Sequence, residues 1–145
     1  MRVPMRVDYG VRALVELAEQ YGRKSIQTIE IANRQNIPEP YLEHLLTTLG
    51  KFGLVKSRRG PHGGHVLAKA PDEISLGMVM VGLEGSTAPL DCIAEPEECS
   101  FSSNCIQREV WKSVEDAVQG VLGSTTIADL TNHVKPQRSR AAYQI

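Results

Sequence analysis

The stretch from Leu54 to Lys69 constrains the fold more than any other part of the chain. Residues 54–58 alternate in the manner of a strand, a turn cluster Gly60-Pro61-His62-Gly63-Gly64 follows, and residues 65–69 can return as a second strand. This pattern predicts a short β-hairpin with a glycine-rich tip and with arginines at its base.

Three helical segments precede this hairpin. Apolar residues recur at helical spacing over residues 8–20 and 29–35, and a third helix is expected over residues 40–52, ending at Gly53. The second and third helices are separated at Asn36-Ile37-Pro38, because Pro38 disfavours helical geometry at the residue before it. Two short helices joined by a tight turn also occur in ordinary helical hairpins, but a helix-turn-helix followed at once by a β-hairpin is the order of a winged helix.

The second half of the chain is predicted to be helical around an irregular segment. Ser75 is expected to cap a helix over residues 76–83, with Met78, Val79, Val81 and Leu83 largely buried. Residues 85–104 show no periodicity, and a long amphipathic helix over residues 105–122 and a short one over 126–134 come next. We therefore expect a mainly α fold with a small β-wing, divided into a winged helix-turn-helix domain at 1–71, a cysteine loop and long dimerisation helix at 72–135, and a flexible tail at 136–145.

Composition narrows the class of protein. No stretch reaches the roughly 18 uncharged apolar residues of a membrane span, and the N-terminus lacks the apolar run of a signal peptide, so a cytoplasmic protein without membrane contact is expected. The net charge of −1 conceals an asymmetry, because residues 1–69 carry 11 Lys/Arg against 6 Asp/Glu and residues 70–145 carry 5 against 11. A basic first half suits a polyanionic partner such as double-stranded DNA.

Several polar side chains are candidates for DNA contacts. Once its leucines face inward, the third helix presents Tyr41, Glu43 and His44 outward, where Glu43 can accept a hydrogen bond from a cytosine amino group and Tyr41 can reach phosphate or sugar. In the wing, the candidates that flank the glycines are Arg58, Arg59 and His62, and arginine at a hairpin tip suits a narrow minor groove. The alternative for each helical residue is an ordinary solvated face.

Three cysteines lie close together as Cys92-x6-Cys99-x5-Cys105. The spacing matches neither the paired cysteines of structural zinc sites nor the C-x-x-C of redox sites, whereas three thiolates on one irregular loop can surround an iron–sulfur cluster. Spacing alone leaves a cluster, zinc and metal-free thiols open. No Ser-His-Asp set, P-loop or pair of carboxylates suggests an enzyme.

The chain resembles a known family in five places. These are the Asp8-Tyr9-Gly10-Val11-Arg12-Ala13 run after an initial Met-Arg-Val, the run from Ile37-Pro38 through Tyr41-Leu42-Glu43, the triplet Gly53-Leu54-Val55, the wing Arg59-Gly60-Pro61-His62-Gly63-Gly64, and the three cysteines. Together they are similar to the Rrf2 family of bacterial winged-helix regulators, which includes an iron–sulfur cluster regulator and a nitric-oxide-sensing repressor. The resemblance implies a homodimer in which the long helix crosses its partner, with a [4Fe-4S] or [2Fe-2S] cluster near the interface and DNA read as a two-fold site.

The resemblance also assigns roles to single residues. It implies DNA contacts at Tyr41, Glu43, His44 and Arg59. Arg108 stands where the iron–sulfur cluster regulator has a histidine ligand, and arginine cannot serve as that ligand. The nitric-oxide-sensing repressor instead implies a carboxylate ligand at Asp8, supplied by the partner subunit; the alternative role for Asp8 is to cap the first helix.

The sequence therefore predicts a DNA-binding transcription regulator whose affinity for DNA is controlled by an iron–sulfur cluster that senses iron, redox state or nitric oxide. The alternative prediction is a cluster-free DNA-binding regulator that responds through oxidation of its cysteine thiols.

Overall fold

The computed structural model describes residues 2–98, 100 and 104–133. Residues 127–133 are helical and two short 3-10 turns occur, at Pro71–Glu73 and Pro96–Glu98. The other elements, in chain order, are α1 (Met5–Glu19), α2 (Thr28–Gln35), α3 (Glu39–Lys51), β1 (Val55–Arg58), β2 (Gly64–Leu67), α4 (Leu76–Glu84), α5 (Asp91–Ala94) and α6 (Arg108–Ser124). The prediction of a mainly helical fold with a small two-stranded wing is confirmed.

The tight turn between α2 and α3 is three residues long. Asn36 takes up the left-handed conformation with φ of 53°, which asparagine tolerates better than most residues. The backbone N–H of Ile37 donates to the carbonyl of Ala32 at 3.0 Å, and Pro38 then leads directly into α3. This turn sets the angle between the two helices and completes the predicted helix-turn-helix.

One hydrophobic core joins both halves of the chain. Helix α1 packs against α2, α3, α4 and β2, and α3 packs against α4. The fully buried side chains at its centre are Leu14, Ile26, Ile31, Leu42, Leu46, Leu49, Leu54, Ile74, Ile127 and Val79. Because Ile74, Val79 and Ile127 come from the second half, residues 1–71 and 72–135 share one hydrophobic core. The functional division at residue 71 stays a prediction.

The wing is fixed to the body of the domain. Strands β1 and β2 are antiparallel, with Val55 opposite Leu67 and Arg58 opposite Gly64. The backbones of His65 and Ile26 exchange two hydrogen bonds of 2.8 and 3.0 Å, which attach β2 to the segment before α2. This close approach requires glycine at position 64, since its φ is +145° and a Cβ there would lie 2.6 Å from the Ile26 carbonyl oxygen.

The second half confirms some predictions and corrects others. Ser75 caps α4 as predicted, because its Oγ accepts from the backbone N–H of Met78 at 3.2 Å. Val79 and Leu83 are buried, but Met78 is only half-buried and Val81 is 41% exposed, since one side of this apolar helix faces away from the core. Helix α6 begins at Arg108, three residues later than predicted, and Ile106 before it is 99% exposed.

The predicted cysteine loop contains short helical turns that its sequence does not signal, namely α5 and the 3-10 turn after it. Cys99 and the tail at 136–145 lie outside the described residues. Within the described part of the chain, no helix combines the length and apolar character needed to cross a membrane.

Candidate nucleic-acid interface

Helix α3 has one buried and one exposed side. Its four buried leucines are Leu42, Leu45, Leu46 and Leu49. On the opposite side Glu43, His44 and Thr47 are exposed. The Thr47 hydroxyl donates to the backbone carbonyl of Glu43 at 2.9 Å, so it is tied to the helix itself. Glu43 and His44 are thus the predicted contact residues that this side of α3 presents to solvent.

Tyr41 is held against α1. Its ring meets the ring of Tyr9 edge-on, with centroids 5.8 Å apart and an interplanar angle of 81°, a favourable aromatic geometry. The guanidinium of Arg12 lies over the Tyr9 ring, 4.8 Å from its centroid. Tyr41 remains 38% exposed. It therefore joins the start of α3 to α1 while keeping part of its surface in solvent.

A cleft of about 320 Å³ separates α3 from the wing. Its acidic side is formed by Glu39 and Glu43 of α3, and its other side by Arg58 with the wing residues Gly60, Gly63, Gly64 and His65. Two predicted contact residues on different elements, Glu43 and Arg58, thus line one concave surface.

His65 is a residue of this cleft that the sequence analysis missed. Its Nε2 lies 2.9 Å from the Thr28 hydroxyl and its Nδ1 lies 3.2 Å from the Ser57 hydroxyl. Burial lowers the pKa of His65, and the negative charge of Glu43 partly opposes this shift. The neutral ring therefore joins the start of α2 to both wing strands. The only sequence signal was its place in the predicted second strand.

The wing tip presents the other predicted wing residues. Arg59 and His62 are both exposed, and Arg59 lies beyond the end of β1, outside the set of residues that line the α3 cleft. The Ser25 hydroxyl donates to the carbonyl of His62 at 2.6 Å. Gly63 allows a tight return, because a Cβ there would lie 2.5 Å from the Arg58 carbonyl oxygen. The wing tip is thus anchored to the loop before α2.

Two of the three cysteines lie in described segments that precede α6. Cys92 belongs to α5, which contacts α6, and Cys105 lies just before α6 as a half-buried free thiol. Cys99 and the side chain of Cys92 lie outside the described part of the structure. Among the side chains that are described, no group of three or more His, Cys, Asp or Glu residues is placed to hold a metal ion. Cysteine sulfur is nevertheless the ligand that iron–sulfur clusters prefer.

Asp8 does not cap a helix, and that alternative is wrong. Helix α1 begins one turn earlier than the apolar pattern suggested, its N-cap is Pro4, and no side chain caps it. Asp8 lies within the first turn, where its Oδ2 accepts a hydrogen bond from Nη2 of Arg12 at 3.2 Å. The carboxylate remains 55% exposed. It is therefore paired within α1 yet accessible to another partner.

Asp8 also lines an apolar groove of about 420 Å³. The other lining residues, from α1, α4, α6 and the segment before α1, are Val3, Val7, Val11, Leu76, Met80 and Leu122. Helix α6 has no buried residue, and Val110 and Val121 on it are 62% and 64% exposed. The groove, which both halves of the chain line, and helix α6 are thus both rich in exposed apolar surface.

Comparison with known proteins identifies relatives over most of the chain. The family model described as "Rrf2: Iron-dependent Transcriptional regulator" matches residues 3–133. The chain is 34% identical to the HTH-type transcriptional regulator CymR of Bacillus subtilis over the full length of both proteins. It is 32% identical to the HTH-type transcriptional regulator IscR of Serratia proteamaculans, over 92% of this chain and 80% of that protein.

Solved structures agree with this result. The structure described as CymR, the global cysteine regulator of B. subtilis, matches with a TM-score of 0.76 at 36% identity, covering 92% of this chain and 98% of that one. T. potens IscR matches with a TM-score of 0.76 at 34% identity, covering 92% and 88%. An oxidized form of Staphylococcus aureus CymR matches with a TM-score of 0.71 at 32% identity, covering 90% and 96%.

Proposed function

Because the chain belongs to the Rrf2 family of transcriptional regulators, we propose that it binds double-stranded DNA as a homodimer and that an iron–sulfur cluster held by its cysteines controls its affinity for DNA. The observation that carries the DNA-binding part is the cleft between α3 and the wing, which Glu43 and Arg58 both line. A regulator of this kind acts in the cytoplasm.

In this proposal residues 1–71 contact DNA. Helix α3 enters the major groove, which admits an α-helix, and Glu43 and His44 contact base edges while Tyr41 reaches the backbone. Arg58, Arg59 and His62 approach the neighbouring minor groove and its phosphates. An arginine in a narrow minor groove is favoured by the enhanced negative potential there. The anchored wing keeps these residues at a fixed distance from α3.

The homodimer is proposed from exposed apolar surface. Helix α6 buries none of its residues within the chain, and the groove beside Asp8 is lined mainly by aliphatic side chains. Contiguous apolar surface of this kind is costly to leave in water and is typical of interfaces. A second copy of the chain that covers both surfaces would bring its own α6 close to Asp8.

The cluster is proposed to be held by Cys92, Cys99 and Cys105 of one chain and by Asp8 of the partner subunit. Three thiolates leave one iron site to fill, and the exposed carboxylate of Asp8 lies in the groove assigned to the partner. A [4Fe-4S] or [2Fe-2S] cluster bound there would contain iron whose ligands change with the availability of iron, with redox state or with nitric oxide. A carboxylate is a harder ligand than a thiolate, so its site is expected to exchange most readily.

Arg12 offers a route from Asp8 to the DNA-binding surface. Its Nη2 pairs with Asp8, while its Nη1 donates to the carbonyl of Gln35 at 3.1 Å, at the end of α2. The same guanidinium covers the Tyr9 ring that supports Tyr41. If the Asp8 carboxylate leaves Arg12 and binds iron, Arg12 loses the negative charge that balances its own. Because Arg12 also contacts the end of α2, this change occurs where the turn that positions α3 begins.

A second candidate is a cluster-free regulator that responds through thiol oxidation. Two observations favour it. The chain is similar to CymR, for which a structure of an oxidized form is known, and Cys105 carries a half-buried free thiol. An external oxidant can convert such a thiol to a sulfenic acid or a disulfide without any metal.

Anaerobic purification separates the two candidates. The cluster proposal expects a coloured protein with visible absorption and with stoichiometric iron and sulfide, and a fall in the absorption on exposure to nitric oxide or oxygen. Colourless protein that lacks iron and sulfide, but whose DNA affinity changes on treatment with a mild thiol oxidant, would replace the cluster proposal with the thiol candidate.

A further inference from the structure

Four cationic side chains surround a concave surface that the turn after α1 forms with the wing and that no residue of α3 lines. Arg23 and Lys24 come from the turn after α1, and Lys56 and Arg58 come from β1; together they line a cleft of about 370 Å³, called here the basic cleft. All four residues are exposed. Lys56 and Arg58 are two residues apart in a strand, so they project from the same face of the wing.

The basic cleft is continuous with the proposed DNA-binding surface. Arg58 lines the basic cleft and also the cleft that contains Glu43. It further lines a neighbouring concavity of about 380 Å³ that runs from Arg23 and Lys24 to His62 at the wing tip. A positive surface therefore extends from Arg58, at the edge of the cleft that α3 lines, to the turn after α1.

The positive charge of this surface is poorly neutralised. Among the described residues, Glu30 is the single carboxylate that lines the basic cleft or the neighbouring concavity. It pairs with Arg34 at 2.8 Å and with Lys24 at 3.8 Å. Across residues 2–98, 100 and 104–133, no carboxylate forms an ion pair with Arg23, Lys56 or Arg58. These three cations are available to an external anion.

We propose that the basic cleft binds DNA phosphates outside the segment read by α3, so that each subunit contacts the duplex backbone on the outer side of its wing. The inference rests on the proposed function, since it takes α3 in the major groove as its starting point. With the wing tip in the adjacent minor groove, the far side of the wing faces the backbone beyond that groove. Continuity through Arg58 favours this backbone over an acidic protein segment as the partner.

The test uses the double variant Arg23→Gln/Lys24→Gln. The control is Lys112→Gln, an exposed lysine that helical spacing places on the side of α6 opposite the exposed Val110 and Val121. The probe is a duplex that the parent protein selects from a random library, prepared in a short form that ends at the selected site and in a form extended by about ten base pairs, one helical turn, at each end. Binding is measured over a salt series. Thermal melting of each variant checks that these surface substitutions leave the fold unchanged.

On the extended duplex the double variant is expected to bind more weakly than the parent. Its plot of log affinity against log salt is expected to be shallower by about 0.9 for each phosphate that the variant no longer neutralises. Raising the salt concentration from about 50 to 200 mM lowers the parent's affinity by a factor of roughly 3.5 for each phosphate that it neutralises. The variant should not show this part of the decrease at the phosphates that it no longer contacts. On the short duplex, parent and double variant should bind alike, and Lys112→Gln should match the parent on both.

Two results would overturn the inference. One is equal binding and equal salt slopes for the parent and the double variant on the extended duplex, which would leave an acidic protein as the partner to be sought. The other is an equal reduction in affinity on both duplexes, which would place the bound phosphates inside the selected site. A parent protein that selects no duplex at all would instead refute the proposed function.

Discussion

The carboxylate of Asp8 accepts a hydrogen bond from Nη2 of Arg12 at 3.2 Å, one turn further along α1. The other terminal nitrogen of Arg12 reaches the carbonyl of Gln35, where α2 ends and the turn before α3 begins. A single arginine therefore contacts both the proposed cluster ligand and the helix-turn-helix. This arrangement gives the ligand role of Asp8 a direct consequence for DNA binding.

Replacing Asp8 tests its proposed role as a ligand. Asp8→Ala and Asp8→Cys, purified anaerobically, are both expected to show altered visible and resonance Raman spectra and altered sensitivity to nitric oxide or oxygen, because the exchangeable iron site would lose its carboxylate or gain a thiolate. Asp72→Ala, at an exposed aspartate that does not line the groove, serves as the control. Spectra of both Asp8 variants that match the parent would remove Asp8 from the ligand set.

Glu43 is expected to read a base. Glu43→Ala should change the ranking of binding sites, with a loss of about 1–3 kcal/mol for the preferred base, because the exposed carboxylate can accept from a cytosine amino group in the major groove. The ranking is measured by selection from a random library. Glu109→Ala on α6 should retain the parental ranking, and the same ranking in Glu43→Ala would refute the proposed base contact.

Arg59 at the wing tip is expected to contribute affinity without base discrimination. Arg59→Ala should weaken binding to strong and weak sites alike and should reduce the salt slope by about 0.9 for each phosphate that the arginine neutralises in the parent complex. Titrations of several duplexes at two salt concentrations measure both effects, with Lys112→Ala as the control. If the variant instead loses affinity for only one class of sequence, Arg59 contributes to sequence readout.

His65 should make the stability of the domain depend on pH. Its pKa is lowered in the folded protein from an ordinary value of 6.5, mainly by burial, so the unfolded chain binds the proton more readily. The stabilisation is present above the unfolded pKa and is lost as pH falls from about 6.5 through the lowered folded pKa. Urea unfolding at a series of pH values should show this decline in the parent.

The matched variant for this prediction is His65→Gln, whose amide can still form a hydrogen bond with Thr28 but does not titrate. Its stability should fall less steeply than that of the parent over the same pH range. Identical pH profiles for the two proteins would show that other groups dominate the acid response.

The sequence predicted the wing and the helix-turn-helix because both are encoded locally. Glycines 60, 63 and 64 permit the turn of the wing, Pro38 disfavours helical geometry at Ile37, and the leucine spacing of α3 fixes its buried side. The start of α1 at Met5 was missed, because Pro4 gives no side-chain cap and the apolar pattern becomes regular only after Asp8.

The features that depend on interactions between distant residues were not predictable from spacing. The hydrogen bond between His65 and Thr28 joins residues 37 positions apart, and the hydrogen bond between Arg12 and Gln35 joins residues 23 positions apart. The short helix α5 has no periodic pattern, since four residues complete little more than one turn. The basic cleft likewise appears only when the turn after α1 and the wing come together.

The central claim, that a cluster held by the three cysteines sets DNA affinity, is tested most directly by one anaerobic titration. A labelled duplex selected by the parent is titrated with cluster-loaded parent, with the same protein after removal of iron, and with Cys92→Ala, Cys99→Ala and Cys105→Ala. The core lies outside the cysteine segment, so all three variants should remain folded and dimeric but colourless. We expect the loaded parent to differ from the four cluster-free proteins by about tenfold or more in affinity, a difference of roughly 1.4 kcal/mol. Equal affinities for loaded and iron-depleted parent, or a full stable cluster in any one of the cysteine variants, would contradict the claim.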